Sequence, residues 1–204
     1  MKLAATIAIA AMMAASAQGK SENGRQVTVY FSDNAGVPYD VRAQAQGLAT
    51  EMFASIGVTL HLKPGRPARP DADAIMIEFV TNTPATRLPG ALAYALPYEG
   101  VHIRIFWDRI EPSPSPRQLL AHVMVHEITH ILQGIDRHSN AGIMKAQWTY
   151  QDYAVMKVRP LSFTPEDVDL IYQGMDYREA HAKADSKTPD TRNTTAAAVE
   201  TTAK

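Results

Sequence analysis

The chain has 204 residues, 46% of them apolar and 20% charged, with 20 basic against 21 acidic side chains. That apolar fraction can fill a core and excludes wholesale disorder, while a net charge of −1 provides no basic field for phosphates, so nucleic acid is not an expected partner. The absence of cysteine excludes disulfides, thiolate metal sites and a cysteine nucleophile.

Residues 1–17 have the form of an export signal. Lys2 supplies the positive start, an apolar run follows to Ala15, and Ala15-Ser16-Ala17 offers small residues at a cleavage site. The run is too short to cross the hydrocarbon of a bilayer, and no later segment reaches that length. The expectation is a soluble, secreted or periplasmic product with no membrane span. Residues 184–204, rich in Lys, Thr, Asp and Ala without apolar periodicity, read as a disordered tail. One folded domain over 18–183 remains.

Within it, Val27, Val29 and Phe31 alternate on one face of a predicted strand at 26–31. A turn at Asp33-Asn34-Ala35-Gly36 leads to a helix over 41–56, with Ala45, Leu48, Ala49, Met52 and Phe53 in one stripe and Gly57 at its end. Strands follow at 58–62 and 74–80, separated by a loop rich in proline and glycine. Two more, at 90–96 and 101–106, are close enough for a hairpin, so part of the sheet should be antiparallel. The strongest helix runs over 117–133 and stops at Gly134. Residues 135–163 show little regular pattern. A last helix begins at Thr164, with Pro165, Glu166 and Asp167 suited to its first turn. The class is α/β (α+β), a mixed sheet with packed helices.

The long helix carries His126-Glu127-Ile128-Thr129-His130, an HExxH sequence. Residues four apart lie one turn above each other, so both imidazoles can reach one metal ion. Glu127 projects close to that face, where a carboxylate can take a proton from a metal-bound water. Leu120, Met124, Ile128 and Ile131 form an apolar stripe, placed opposite the two histidines. Gly134 lets the chain reverse, and His138 can return as a third ligand, leaving the open fourth position of a catalytic zinc site.

The run from His126 through His138-Ser139 to Gly142-Ile143-Met144 resembles the metzincin metallopeptidases, whose pattern is HExxHxxGxxH followed by a Met-turn. It is most similar to their matrixin branch. Gly134 falls one residue later than in that pattern and His138 two later, so the return loop must be wider. The resemblance implies a metzincin-like twisted sheet and Zn2+ held by His126, His130 and His138. It further implies Glu127 as general base, Met144 in the Met-turn, and residues 90–96 as an edge strand that pairs with extended peptide substrate.

Other residues compete for roles. His122 would stand about 12 Å along the helix axis from His130, too far to share its ion, and is read as a buried hydrogen-bonding group. His61, His102 and His181 lack ligand spacing. Glu166 would be the third ligand in a thermolysin-like arrangement, and Asp136 is a further oxygen candidate. Trp148, Tyr150 and Tyr153 are pocket-wall or core residues before they are catalytic ones. The sequence thus describes a monomeric, exported zinc endopeptidase acting on peptide or protein. Its rivals are a non-catalytic zinc-binding or interaction module with a degenerate site, and an accidental motif in a structural protein.

Overall fold

A computed structural model describes residues 24–68, 74–84, 90–95 and 101–185. The export-signal reading of 1–17, the hairpin turn and the tail beyond 185 lie outside those residues. Five strands, β1 (Arg25–Asp33), β2 (Val58–Pro64), β3 (Ile75–Val80), β4 (Ala93–Ala95) and β5 (His102–Phe106), form one sheet in the order β2-β1-β3-β5-β4. The first four neighbours in that order are parallel, and β4 pairs antiparallel with β5 through Ala93↔Ile105 and Ala95↔Ile103. The expected antiparallel component is therefore the edge strand, three residues long.

Alternation decides which face of the sheet is covered. Val27, Val29, Val58, Leu60, Ile75, Ile77, Phe79, Ile103 and Ile105 are buried, while the intervening residues are partly or fully exposed. The outer face is polar, with Arg104 on Glu78 at 2.9 Å and His61 on Gln26 at 3.2 Å. A largely parallel sheet usually has helices on both faces; among the described residues here helices cover one, and the second is mostly Thr, Tyr, His, Glu and Arg, with Met76 and Val80 among them.

The covering layer begins with α1 (Tyr39–Ala54). The Asp33 carboxylate accepts the backbone N–H groups of Ala35, Gly36 and Val37, turning the chain from β1 into that helix. Val41, Ala45, Ala49, Met52 and Phe53 are its buried stripe, and Gly57, at φ +71°, lets the chain turn back into β2. After a short α2 (Trp107–Ile110) comes α3 (Pro116–Gln133), packed against α1, β4 and β5. α4 (Tyr150–Met156) interrupts the stretch expected to be irregular, and α5 (Pro165–Asp185) packs on α3. The last helix runs two residues into the segment read as tail. Among the described residues, no helix is long and apolar enough to cross a membrane.

One expectation about α3 is corrected. Its histidine face was placed opposite an apolar stripe, toward something polar; every residue from Leu119 to Gln133 is buried. Chain segments distant in sequence cover the second face, and helical periodicity carries no record of them.

Candidate metal centre

Two turns of α3 present His126, Glu127 and His130, all buried. His126 Nδ1 lies 2.9 Å from the Ile143 carbonyl oxygen, and His130 Nδ1 lies 3.3 Å from that of Ile135. A carbonyl only accepts, so each Nδ1 carries the hydrogen and each Nε2 is left as a bare lone pair. Those two Nε2 atoms are 3.1 Å apart. Facing lone pairs repel unless a cation sits between them. A proton does not serve, because burial first, and the neighbouring His130 second, push the His126 pKa down to about 3. Burial and His138 lower the pKa of His130 as well. A tetrahedral ion with bonds of 2.0–2.1 Å places its nitrogen ligands about 3.3 Å apart, close to the observed separation.

The third imidazole arrives on the loop after Gly134, which takes the left-handed conformation at φ 68° and ends α3 with its N–H on the His130 carbonyl. His138 stands with its ring centroid 5.3 Å from that of His126 and 4.9 Å from that of His130. The ligand nitrogens of His126, His130 and His138 all lie within 4.8 Å of one another, and the group could hold a metal ion. The wider loop thus closes on the site despite its two extra residues.

Of the competing residues, none joins this group among those described. Glu166 pairs with Arg137 and is 68% exposed, and Asp136 is exposed. His122 is buried and has both nitrogens engaged, Nδ1 with the Gln118 carbonyl and Nε2 accepting the Leu161 N–H, which suits the hydrogen-bonding role read for it. Burial lowers its pKa and keeps it neutral. His61, His102 and His181 are exposed on β2, β5 and α5.

Glu127 meets edge strand β4. Its carboxylate receives the Ala95 N–H of that strand, yet burial dominates and its pKa is pushed up to about 8, with the Asp136 charge adding to the rise. Trp148 forms a wall: its ring meets His126 edge-on at 5.6 Å and His122 at 6.3 Å, and Tyr153 backs it at 6.5 Å. Tyr150 is 90% exposed and contributes nothing to that wall.

The turn at 142–144 is built for its task. Met144 is fully buried, and its carbonyl accepts the Ser139 N–H at 2.7 Å. Ile143 offers one carbonyl oxygen to both His126 Nδ1 and Trp148 Nε1, the latter at 3.2 Å. Gly142 has φ +73°, and an added Cβ would stand 2.3 Å from the Ser162 carbonyl oxygen. Gly142→Ala is therefore expected to destabilise the fold by about 2 kcal/mol or more and to weaken metal binding, because the Ile143 carbonyl must shift with the turn. Denaturant midpoints and metal titration check this; an unchanged midpoint would mean the turn has room to spare.

Sequence reading missed two contributors. Asp167 is completely buried and accepts hydrogen bonds from Ser139 Oγ, Arg137 and the Thr164 N–H. Burial pushes its carboxyl up, and those donors more than offset this, leaving it below its ordinary value. α4 was the other omission. Thr-x-x-Asp spacing marks both, since Thr149/Asp152 and Thr164/Asp167 are reciprocal caps, but that signal alone is short and common.

No protein-family model matches the sequence, and no curated protein matches it. By structure the chain is similar to archaemetzincin from Methanopyrus kandleri, with a TM-score of 0.53 at 10% identity, over 76% of this chain and 98% of that one. The mixed five-stranded sheet with its packed helices is an archaemetzincin-like fold. That agrees with the metzincin-like architecture implied by the motif.

Proposed function

We propose that the chain is an exported zinc-dependent endopeptidase. The convergence of His126, His130 and His138 on one point carries this reading, and the likeness to archaemetzincin supports it. The matrixin-like end of the motif, His138-Ser139 with Gly142-Ile143-Met144, supports it further. Three imidazoles would hold the ion and leave a fourth position open. Bound there, zinc would polarise a scissile carbonyl and acidify a water.

The rest falls to the chain. Glu127 accepts the proton of the attacking water and returns it to the leaving nitrogen. The Ala95 N–H and the packing around α3 hold its carboxylate in place. Among the described residues β4 is the last strand of the sheet, and its outer side would offer backbone groups to an extended peptide. Trp148, with Tyr153 against it, packs on the His126 ring and supports its orientation.

The test is the zinc content of the purified protein after dialysis against metal-free buffer. About one zinc per chain is expected, with hydrolysis of a mixed peptide substrate that a chelator stops and added zinc restores. Zinc without hydrolysis of any peptide would make this a binding module. A chain that takes up no zinc, even when reloaded, would end the peptidase reading.

A further inference from the structure

The three imidazoles are not held alike. His126 and His130 each have an Nδ1 partner, the carbonyls of Ile143 and Ile135, and both are buried in α3. His138 is exposed, and its ring has no hydrogen bond to another described residue. Its position depends on the backbone that carries it.

That backbone is gripped on both sides of His138. Arg137 and Ser139 each donate to Oδ1 of Asp167, Arg137 at 3.1 Å. The other oxygen of the same carboxylate accepts the Thr164 N–H at 3.0 Å, and the Asp167 N–H returns to Thr164 Oγ1. The Asp167 carbonyl receives Gln133 Nε2 at 3.3 Å, one turn beyond His130. One residue at the start of α5 therefore touches the end of the HExxH helix and both neighbours of His138. It is completely buried.

We infer that Asp167 is the positioning residue for the third ligand, setting the place of His138 through Ser139 and Arg137. This rests on the metal-site reading above. All the side-chain and backbone groups that meet the carboxylate are donors. An amide at 167 must turn its NH2 toward one of them, and loses the charge that holds Arg137. Groups that orient metal ligands from behind are worth about 10–100-fold in affinity.

The experiment is competition for zinc against a chelator of known affinity, on the full chain. Asp167→Asn and Ser139→Ala are each expected to weaken zinc binding by about 10–100-fold. Ser139→Thr, which keeps the hydroxyl, should stay near the parent. Tyr172→Phe is the structural control: it removes the Tyr172 hydroxyl's bond to the Ile56 carbonyl, loosening α5 away from the loop, and should lower the melting temperature while leaving zinc affinity unchanged. If Asp167→Asn fails to fold, Ser139→Ala decides alone. Parent-like affinity in Ser139→Ala, or an equal loss in Tyr172→Phe, would overturn the inference while leaving the metal site standing. A parent that binds no zinc would overturn the metal-site reading and this inference together.

Discussion

Glu127→Gln is expected to leave zinc bound and to cut turnover by about 10²–10⁴-fold, the range lost when a general base is removed. The amide is isosteric, and its oxygen can still accept the Ala95 N–H, so the effect should fall on kcat more than on KM. Activity equal to the parent's would place the base elsewhere. The same substitution should act on stability with the opposite sign. In the metal-free protein the Glu127 pKa is pushed from an ordinary 4.5 up to about 8, chiefly by burial. The folded state thus binds more protons than the unfolded state between those values. The contribution of this one group to stability is therefore fully present below about 4.5 and is lost as pH rises toward 8. Glutamine has no such titration, and His126 is common to both proteins. Metal-free Glu127→Gln should therefore melt close to the parent at pH 5 and clearly above it at pH 8, by up to a few kcal/mol at about 1.4 kcal/mol per unit. A gap that does not widen with pH would mean the carboxyl ionises as it does in water.

The second large effect concerns Gly174 in α5. A Cβ built there would stand 1.8 Å from the Leu132 carbonyl oxygen and 3.2 Å from the Gln133 Cα. These are backbone atoms of α3, directly after the HExxH segment, and no rotamer change can move them aside. Gly174→Ala is expected to destabilise the fold by about 3 kcal/mol or more, since the two helices must separate to admit one methyl group. Gly47 in α1 is the comparison. It is exposed, and nothing lies within 4 Å of its Cβ position. Gly47→Ala should stabilise by about 0.5–1 kcal/mol through helix propensity alone. Denaturant unfolding of the two variants measures both. A harmless Gly174→Ala would show that α5 can slide on α3 without loss.

The two glycines also show where the sequence stops being legible. Each sits inside a helical pattern, and nothing local separates the one under another backbone from the one in open solvent. The strands were readable because β1, β2, β3 and β5 alternate buried and exposed residues. The helix stops at Gly57 and Gly134 were readable because a left-handed turn needs glycine. The histidine trio was readable from spacing, and the wider loop altered the path to His138 without removing it from the site. What escaped was long-range. The order β2-β1-β3-β5-β4 depends on which strands meet. The all-round burial of α3 depends on segments far along the chain. α4 escaped for a simpler reason, since Met156 is its one buried residue and leaves almost no apolar period to detect.

The carboxylate that braces His138 lies 28 residues beyond Ser139 in the chain. At synthesis rates of about 5–20 residues per second, the HExxH helix, which ends at Gln133, leaves the ribosome about 2–7 s before that brace has been made. Until then the nascent polypeptide has two imidazoles on a helix and a third on a loop that still lacks its carboxylate brace. For a chain with the activity proposed here, the cutting site would come into being last, when α5 docks, and a fragment released short of residue 164 would be unable to digest its own neighbours.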